Sequence, residues 1–215
     1  MPEAVLSEAA QTLLIRLRAL LAEKEFYLAG GSGLALELRH RFSDDLDFFR
    51  ASPFDAERLA SLLRRQAERF EPLLVEQDTV VAFVDGVRVG LFKYEVPLRY
   101  PIVDREGIRL ADWRDVLAEK LKTVSQRGSK KDFYDLYEIF TRRLSVPEGV
   151  AIFKARFAGT GLNFYHVLRS LTYFEDADGE PDPRLLDRAY GWEEVKRFFV
   201  EHVREFEKEM FRAGV

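Results

Sequence analysis

Asp45 and Asp47 stand one leucine apart in the run "DDLDFF", and that spacing is the first feature able to do chemistry. In a strand, side chains two residues apart leave the same face. The two carboxylates would then project together while Leu46 and Phe48 turn to the core. Carboxylates held side by side repel and raise each other's pKa unless a cation lies between them. Mg²⁺ is a hard cation that takes oxygen ligands, commonly one or two carboxylates plus substrate phosphates. Upstream, Gly30, Gly31 and Ser32 follow "FYLA" and open the run "SGLALELRH". A helix N-terminus offers N–H groups and a favourable dipole to an anion, and Ser32 adds a hydroxyl. Together these residues read as a phosphate cradle beside a metal site. Each half alone is commonplace, since GGS is an ordinary tight turn and Asp44 and Asp45 suit a turn after Ser43. The specific signal is the combination: strand, glycines, serine, helix, then an Asp-x-Asp strand.

The elements that must position these residues follow from periodicity. Residues 4–25 form an amphipathic helix with Leu13, Leu14, Leu17, Leu20 and Leu21 at helical spacing. Strands are expected at 26–30 and 45–49, with a helix at 32–40 between them and another at 54–70. Asp85-Gly86 divides "TVVAFV" from "VRVGLFKYEV", which signals a hairpin, and "YPIVD" offers one more strand. In the hairpin's second strand Val89, Leu91, Lys93 and Glu95 share a face by period two. Beyond Gly107 only helical patterns remain, separated by "VPEG", "GTG" and "DADGEPDP". The expected fold is α+β: a small mixed sheet over residues 1–106, then an all-helical domain over residues 107–215.

Composition sets outer bounds. The chain has 215 residues, 47% hydrophobic and 33% charged, without cysteine, which excludes disulfides and thiolate metal sites. A net charge of −4 argues against a charge-driven nucleic-acid coat, while leaving local basic patches at 39–41, 64–65, 127–131 and 142–143. No run is apolar enough to span a bilayer, and "MPEAVLSEAAQ" lacks the plan of a secretory signal. A cytoplasmic protein without a membrane segment is expected. His40, His166 and His202 do not fall at metal-ligand spacing. Tyr27, Phe133, Tyr134, Tyr137 and Phe140 read as core.

The stretch "GGSGLALELRHRFSDDLDFF" resembles the opening motif of DNA polymerase β-like nucleotidyltransferases. More narrowly it resembles the AbiEii/AbiGii toxin family, whose members are toxins of type IV toxin–antitoxin and phage-abortive systems. The resemblance runs over about residues 25–140, with a slightly longer spacer between Gly-Ser and Asp-x-Asp than the family pattern has. It implies Asp45 and Asp47 as Mg²⁺ ligands, and Gly31 and Ser32 as contacts to the outer phosphates of an NTP. The family's lysine-x-acid motif falls on Lys93 and Glu95. Lys93 is then a nucleotide contact, and Glu95 a third metal ligand or the base acting on the acceptor hydroxyl. The segment "LAEKLKTVSQRGSKKDFYDLYEIF" resembles the family's downstream motifs. In its helix Val116, Leu117, Leu121 and Val124 form the apolar stripe, Lys120 lies at the border and Lys122 faces away. Lys120 is accordingly the implied phosphate contact. The resemblance makes Asp132 a functional residue, against the plain reading of Ser129 and Asp132 as a capping pair. Lys130 and Lys131 are placed to touch an RNA backbone. The implied reaction transfers a nucleoside monophosphate from an NTP to an acceptor hydroxyl, RNA first and a tRNA 3′ end within that, with a cognate antitoxin as a possible partner. Transfer to a protein or small molecule, or a catalytically weak NTP-binding module, are the alternatives.

Overall fold

The computed structural model describes residues 5–186 and 190–212. It divides into two compact units, Met1–Asp112 and Trp113–Val215.

The first unit begins with α1 (Glu8–Glu23), capped by Ser7, whose hydroxyl accepts from Ala10 N at 3.3 Å. Its leucine stripe works as the spacing predicts, with Leu13, Leu14, Leu17 and Leu21 buried. Then come β1 (Tyr27–Leu28), α2 (Gly30–Leu38), β2 (Leu46–Arg50), α3 (Ala56–Gln66), β3 (Phe70–Glu76), β4 (Thr79–Val84), β5 (Val87–Lys93), β6 (Val103–Arg105) and β7 (Ile108–Leu110). They form one mixed sheet in the order β3-β4-β5-β2-β1-β7-β6. The β2–β5 and β1–β7 pairs are parallel and the others antiparallel. The β4–β5 turn has Asp85 at φ 50° and Gly86 at φ 82°, the left-handed pair that a two-residue hairpin turn requires.

Two strands escaped the sequence reading. The helix expected to reach residue 70 stops at Gln66, and "FEPLLVE" forms the edge strand β3. Pro72 and the register shift between Pro72 and Leu74 disguise it, because proline removes a ladder donor and is tolerated at edges and bulges. Likewise β7 pairs Leu110 with Leu28, although "GIRL" is too short to show a period. The boundary expected at residue 107 therefore falls inside the β6–β7 hairpin, whereas the chain divides at Asp112/Trp113.

The second unit is helical: α4 (Trp113–Arg127), α5 (Lys130–Arg142), α6 (Val146–Phe157), α7 (Phe164–Ser170), the single turn α8 (Glu175–Asp178) and α9 (Trp192–Phe211). The helix read over "NFYHVLRSLTYFE" is the short α7, which ends at Ser170, and α8 begins only at the last residue of that run, Glu175. Rings join α5 to α9, with Phe133 on Phe199 at 5.3 Å and Phe140 on Phe206 at 5.2 Å. The five aromatics read as core are all buried. Among the described residues no helix is long and apolar enough to cross a membrane.

Candidate active site

Register in β2 decides what stands beside Asp47. Asp47 pairs with Gly90 and Phe49 with Phe92, while Leu46, Phe48 and Arg50 pair with Val89, Leu91 and Lys93. Paired neighbours point to the same face. One face thus carries Asp47, Phe49, Gly90 and Phe92. The other carries Leu46, Phe48, Val89 and Leu91, each at most 2% exposed.

Three backbone features close in on the Asp47 carboxylate. Gly30 has φ +61°, and a Cβ there would lie 3.5 Å from Asp47 Oδ2, so the first turn of α2 rests on the carboxylate. Asp47 O accepts from Ala29 N at 3.0 Å, fixing β2 against that turn. Across the ladder, a Cβ on Gly90 would lie 2.4 Å from the Phe92 ring and 2.8 Å from Asp47 Oδ1. Ring and carboxylate already fill the space. Gly90→Ala is therefore expected to displace one of them, at a cost of about 1–3 kcal/mol, and to lower NTP affinity. A melting curve and a titration with NTP check both effects.

Charge completes this corner. Arg88 Nη1 lies 3.4 Å from Asp47 Oδ1, with both side chains about a third exposed. Arg41, 3% exposed, lies beside Gly31, where a Cβ would come within 2.6 Å of its Nη2. The α2 N-terminus is thus flanked by guanidinium groups as well as by its own dipole, a setting that favours anions. The sequence analysis placed Arg41 in a basic patch at 39–41 but not in this site, and it missed Arg88 and Gly90. A glycine inside a strand often marks a close backbone approach, which was the available clue to Gly90.

Several expected roles change. Asp45 lies just before β2, which starts at Leu46, and its backbone carbonyl accepts from Ser32 Oγ. Ser32 Oγ is also hydrogen-bonded to Ser43 Oγ at 2.9 Å and the residue is 2% exposed. Its hydroxyl ties α2 to the segment before β2 instead of facing outward to a phosphate. Lys93 belongs to the face opposite Asp47, and Glu95 lies beyond the end of β5. The Glu95 carboxylate takes the Lys93 ammonium at 2.7 Å with 78% of its side chain exposed. Period two was expected to put Glu95 on one face with Val89, Leu91 and Lys93, but β5 ends at Lys93 and that face is the buried one, not the face of Asp47. Among the described residues no group of three or more His, Cys, Asp or Glu side chains is gathered to hold a metal. The triad of Asp45, Asp47 and Glu95 is not assembled.

In the second unit the predicted residues do meet, in a buried ion cluster. Lys120 of α4 reaches Asp132 and Asp135 of α5, the latter at 2.7 Å, and Arg127 Nε lies 3.1 Å from Asp132 Oδ2. Lys120 is 4% exposed and both aspartates 0%. Burial alone would push the Asp132 carboxyl up, but Lys120 and then Arg127 outweigh it and hold the carboxyl below its ordinary value. Lys120 is thus enclosed by carboxylates and not presented to a phosphate. Lys122 is not simply solvent-facing either; it lies 3.6 Å from Glu119 and over the Phe157 ring. The capping reading of Ser129 and Asp132 also fails. Ser129 Oγ donates to Glu180 Oε2 at 2.8 Å, and the same oxygen accepts from Lys130 N at 2.8 Å, so Glu180 caps α5 from a distance. Lys130, expected on RNA, is 5% exposed and bound to Asp182 at 3.2 Å.

A second buried cluster had no sequence signal. Arg156 of α6 pairs with Asp115 and, at 2.8 Å, with Glu119 of α4. Burial works against its charge, yet Glu119 and Asp115 more than offset this and raise the guanidinium's pKa.

The chain is 35% identical over 191 residues to an uncharacterized protein of Aquifex aeolicus (strain VF5), covering 85% of this chain and 88% of that one. Its fold is similar to the crystal structure of JHP933 from Helicobacter pylori, with a TM-score of 0.58 at 18% identity, over 95% of this chain and 94% of that chain. It is similar also to MenT4, a nucleotidyltransferase toxin of Mycobacterium tuberculosis H37Rv, with a TM-score of 0.53 at 18% identity and the same coverage. These likenesses establish the α+β nucleotidyltransferase fold, a mixed sheet followed by helices. The model of the nucleotidyl transferase AbiEii toxin of type IV toxin–antitoxin systems matches residues 12–212. The chain belongs to the AbiEii nucleotidyltransferase toxin family.

Proposed function

We propose that the protein is a Mg²⁺-dependent nucleotidyltransferase that moves a nucleoside monophosphate from an NTP to a hydroxyl of RNA, with a tRNA 3′ end as the first acceptor to examine. It acts as a cytoplasmic toxin answered by a cognate antitoxin. The observation that carries this reading is the first turn of α2 packed on the Asp47 carboxylate, 3.5 Å from the Cβ position of Gly30, with Arg88 beside it.

The donor set fits the metal. Asp45 and Asp47 are hard oxygen donors two residues apart in the chain, and Asp47 already has a cationic neighbour in Arg88 at 3.4 Å. Asp45 and Asp47 would be the protein's ligands to the ion, since Mg²⁺ commonly takes only one or two carboxylates and leaves the other positions to water and substrate phosphates. When bound, the ion neutralises the charge that develops on the transferring phosphoryl group. The chain does the positioning. Backbone N–H groups at Gly30 and Gly31 meet the outer phosphates, and Ser32 holds that turn in place through Asp45 and Ser43. Arg88, beside Asp47, would be within reach of the same phosphates. The bond between the α-phosphorus and its bridging oxygen breaks, pyrophosphate leaves, and the acceptor oxygen takes its place, its proton passing to solvent.

Arg88→Ala is expected to weaken NTP binding roughly tenfold, the worth of one charge-assisted contact of about 1.5 kcal/mol, while the melting temperature stays within a degree or two. Calorimetry with and without Mg²⁺ reads it, and unchanged affinity would remove Arg88 from the site. The reaction itself is tested by incubating the protein with total RNA and each labelled NTP in turn. Label entering RNA with wild type and not with Asp47→Asn supports the reading. Label in protein or a small molecule moves the acceptor to another class. The carboxylate triad missing among the described residues favours a second reading, a weak NTP-binding module, and NTP binding without any transfer would establish that instead.

A further inference from the structure

On the Asp47 face of the sheet, one step along β2, a row of aromatic rings crosses three strands. Phe49 packs against Phe92 of β5 at 5.4 Å and Tyr27 of β1 at 6.2 Å, each pair tilted by 31°. The register pairs Tyr27 with Phe49 and Phe49 with Phe92, so the rings share one face and nearly one orientation. Tyr27 is buried and supports the row, whereas Phe49 and Phe92 are half-buried and present ring surface. Phe92 leans back over Gly90 toward Asp47, within 2.4 Å of the Cβ position that Gly90 leaves empty. At the far end, Leu110 pairs with Leu28. One residue back along those parallel strands, Arg109 stands beside Tyr27, and both line a pocket of about 280 Å³.

The order along this face is informative. The α2 N-terminus and Arg88 lie toward the Leu46 end of Asp47, and the aromatic row lies toward the Phe49 end. Phosphoryl transfer keeps the attacking and leaving oxygens roughly in line. If the outer phosphates occupy the α2 end, the acceptor hydroxyl approaches from the other side, where the rings are. We infer that Phe49 and Phe92 form a stacking platform for the 3′-terminal unpaired base of a nucleic-acid acceptor, with Arg109 facing its phosphates. Aromatic faces bind bases of any sequence, and a neighbouring guanidinium adds the backbone contact.

This inference rests on the proposed transfer reaction, and the test separates the two. A 5′-labelled single-stranded RNA oligonucleotide is titrated against the full chain by fluorescence anisotropy, alongside the same strand with an abasic 3′-terminal residue. The two strands carry equal charge. Wild type is expected to prefer the base-bearing strand by about 5- to 150-fold, the worth of one base stacked on aromatic side chains. Phe49→Leu with Phe92→Leu should bind both strands at the abasic level, keep the circular-dichroism spectrum and cooperative melting of wild type as a check on folding, and recover discrimination when tyrosine replaces both phenylalanines. Equal binding of the two strands by wild type, or discrimination retained in the leucine variant, overturns the platform. Discrimination without labelled RNA product leaves the platform standing and removes the transfer reading. Labelled product with an RNA KM unchanged by the leucine pair does the reverse.

Discussion

Replacing Asp45 and Asp47 together by asparagine is expected to abolish Mg²⁺-dependent NTP binding and to lower turnover by at least about a thousandfold, since metal stabilisation of the transferring phosphoryl group is worth several kcal/mol. Asparagine keeps the volume and the packing against Gly30 and Gly90 while removing both charges. The Arg88–Asp47 pair is about a third exposed, so its loss costs no more than about 1 kcal/mol after solvent screening, and the chain should remain folded. Calorimetry of NTP with and without Mg²⁺, together with a melting curve, separates these effects. Full-strength binding by a folded double variant would remove the site from this corner of the sheet. The same substitution is expected to relieve any growth arrest that induced wild type causes in bacteria, because a toxin of this family would act through the site.

Lys120→Met is expected to give the largest loss of stability, about 3–5 kcal/mol, because it leaves Asp132 and Asp135 buried and charged with one positive partner removed. Both aspartates are fully enclosed, so water cannot take over. Denaturant unfolding followed by helical circular dichroism reads the loss in the second unit. Adding Asp132→Leu and Asp135→Leu should recover much of it, since apolar replacement of a whole buried ion cluster is often neutral or stabilising. The cluster also predicts acid sensitivity. The folded Asp132 carboxyl binds its proton more weakly than the unfolded one, whose ordinary value is 3.8. Its contribution is therefore complete above that value and is lost as pH falls below it, through the lower folded value. Turnover per folded molecule should survive Lys120→Met. A fall in turnover far beyond the fall in folded fraction would return Lys120 to the phosphates.

Much of the chemistry was legible along the chain because it is local. Glycines, a helix start and an Asp-x-Asp strand lie within one βαβ-like length, and the leucine stripe of α1 and the Asp85-Gly86 turn are short-range patterns that report their own geometry. What lay beyond reach depends on strands distant in sequence coming to rest side by side. Whether Glu95 could join Asp47 was a question of parity, and the β2–β5 register, set by packing Leu46 and Phe48 against Val89 and Leu91, gave Asp47 a neighbour in Gly90 and put Lys93 on the opposite face. The same register brought Arg88 to Asp47 and Phe92 to Phe49. In the second unit the sequence pointed to Lys120 and Asp132, but only the packing of α4 on α5 decided that they face each other in the interior, because a buried lysine and buried carboxylates must be paired where water cannot solvate them.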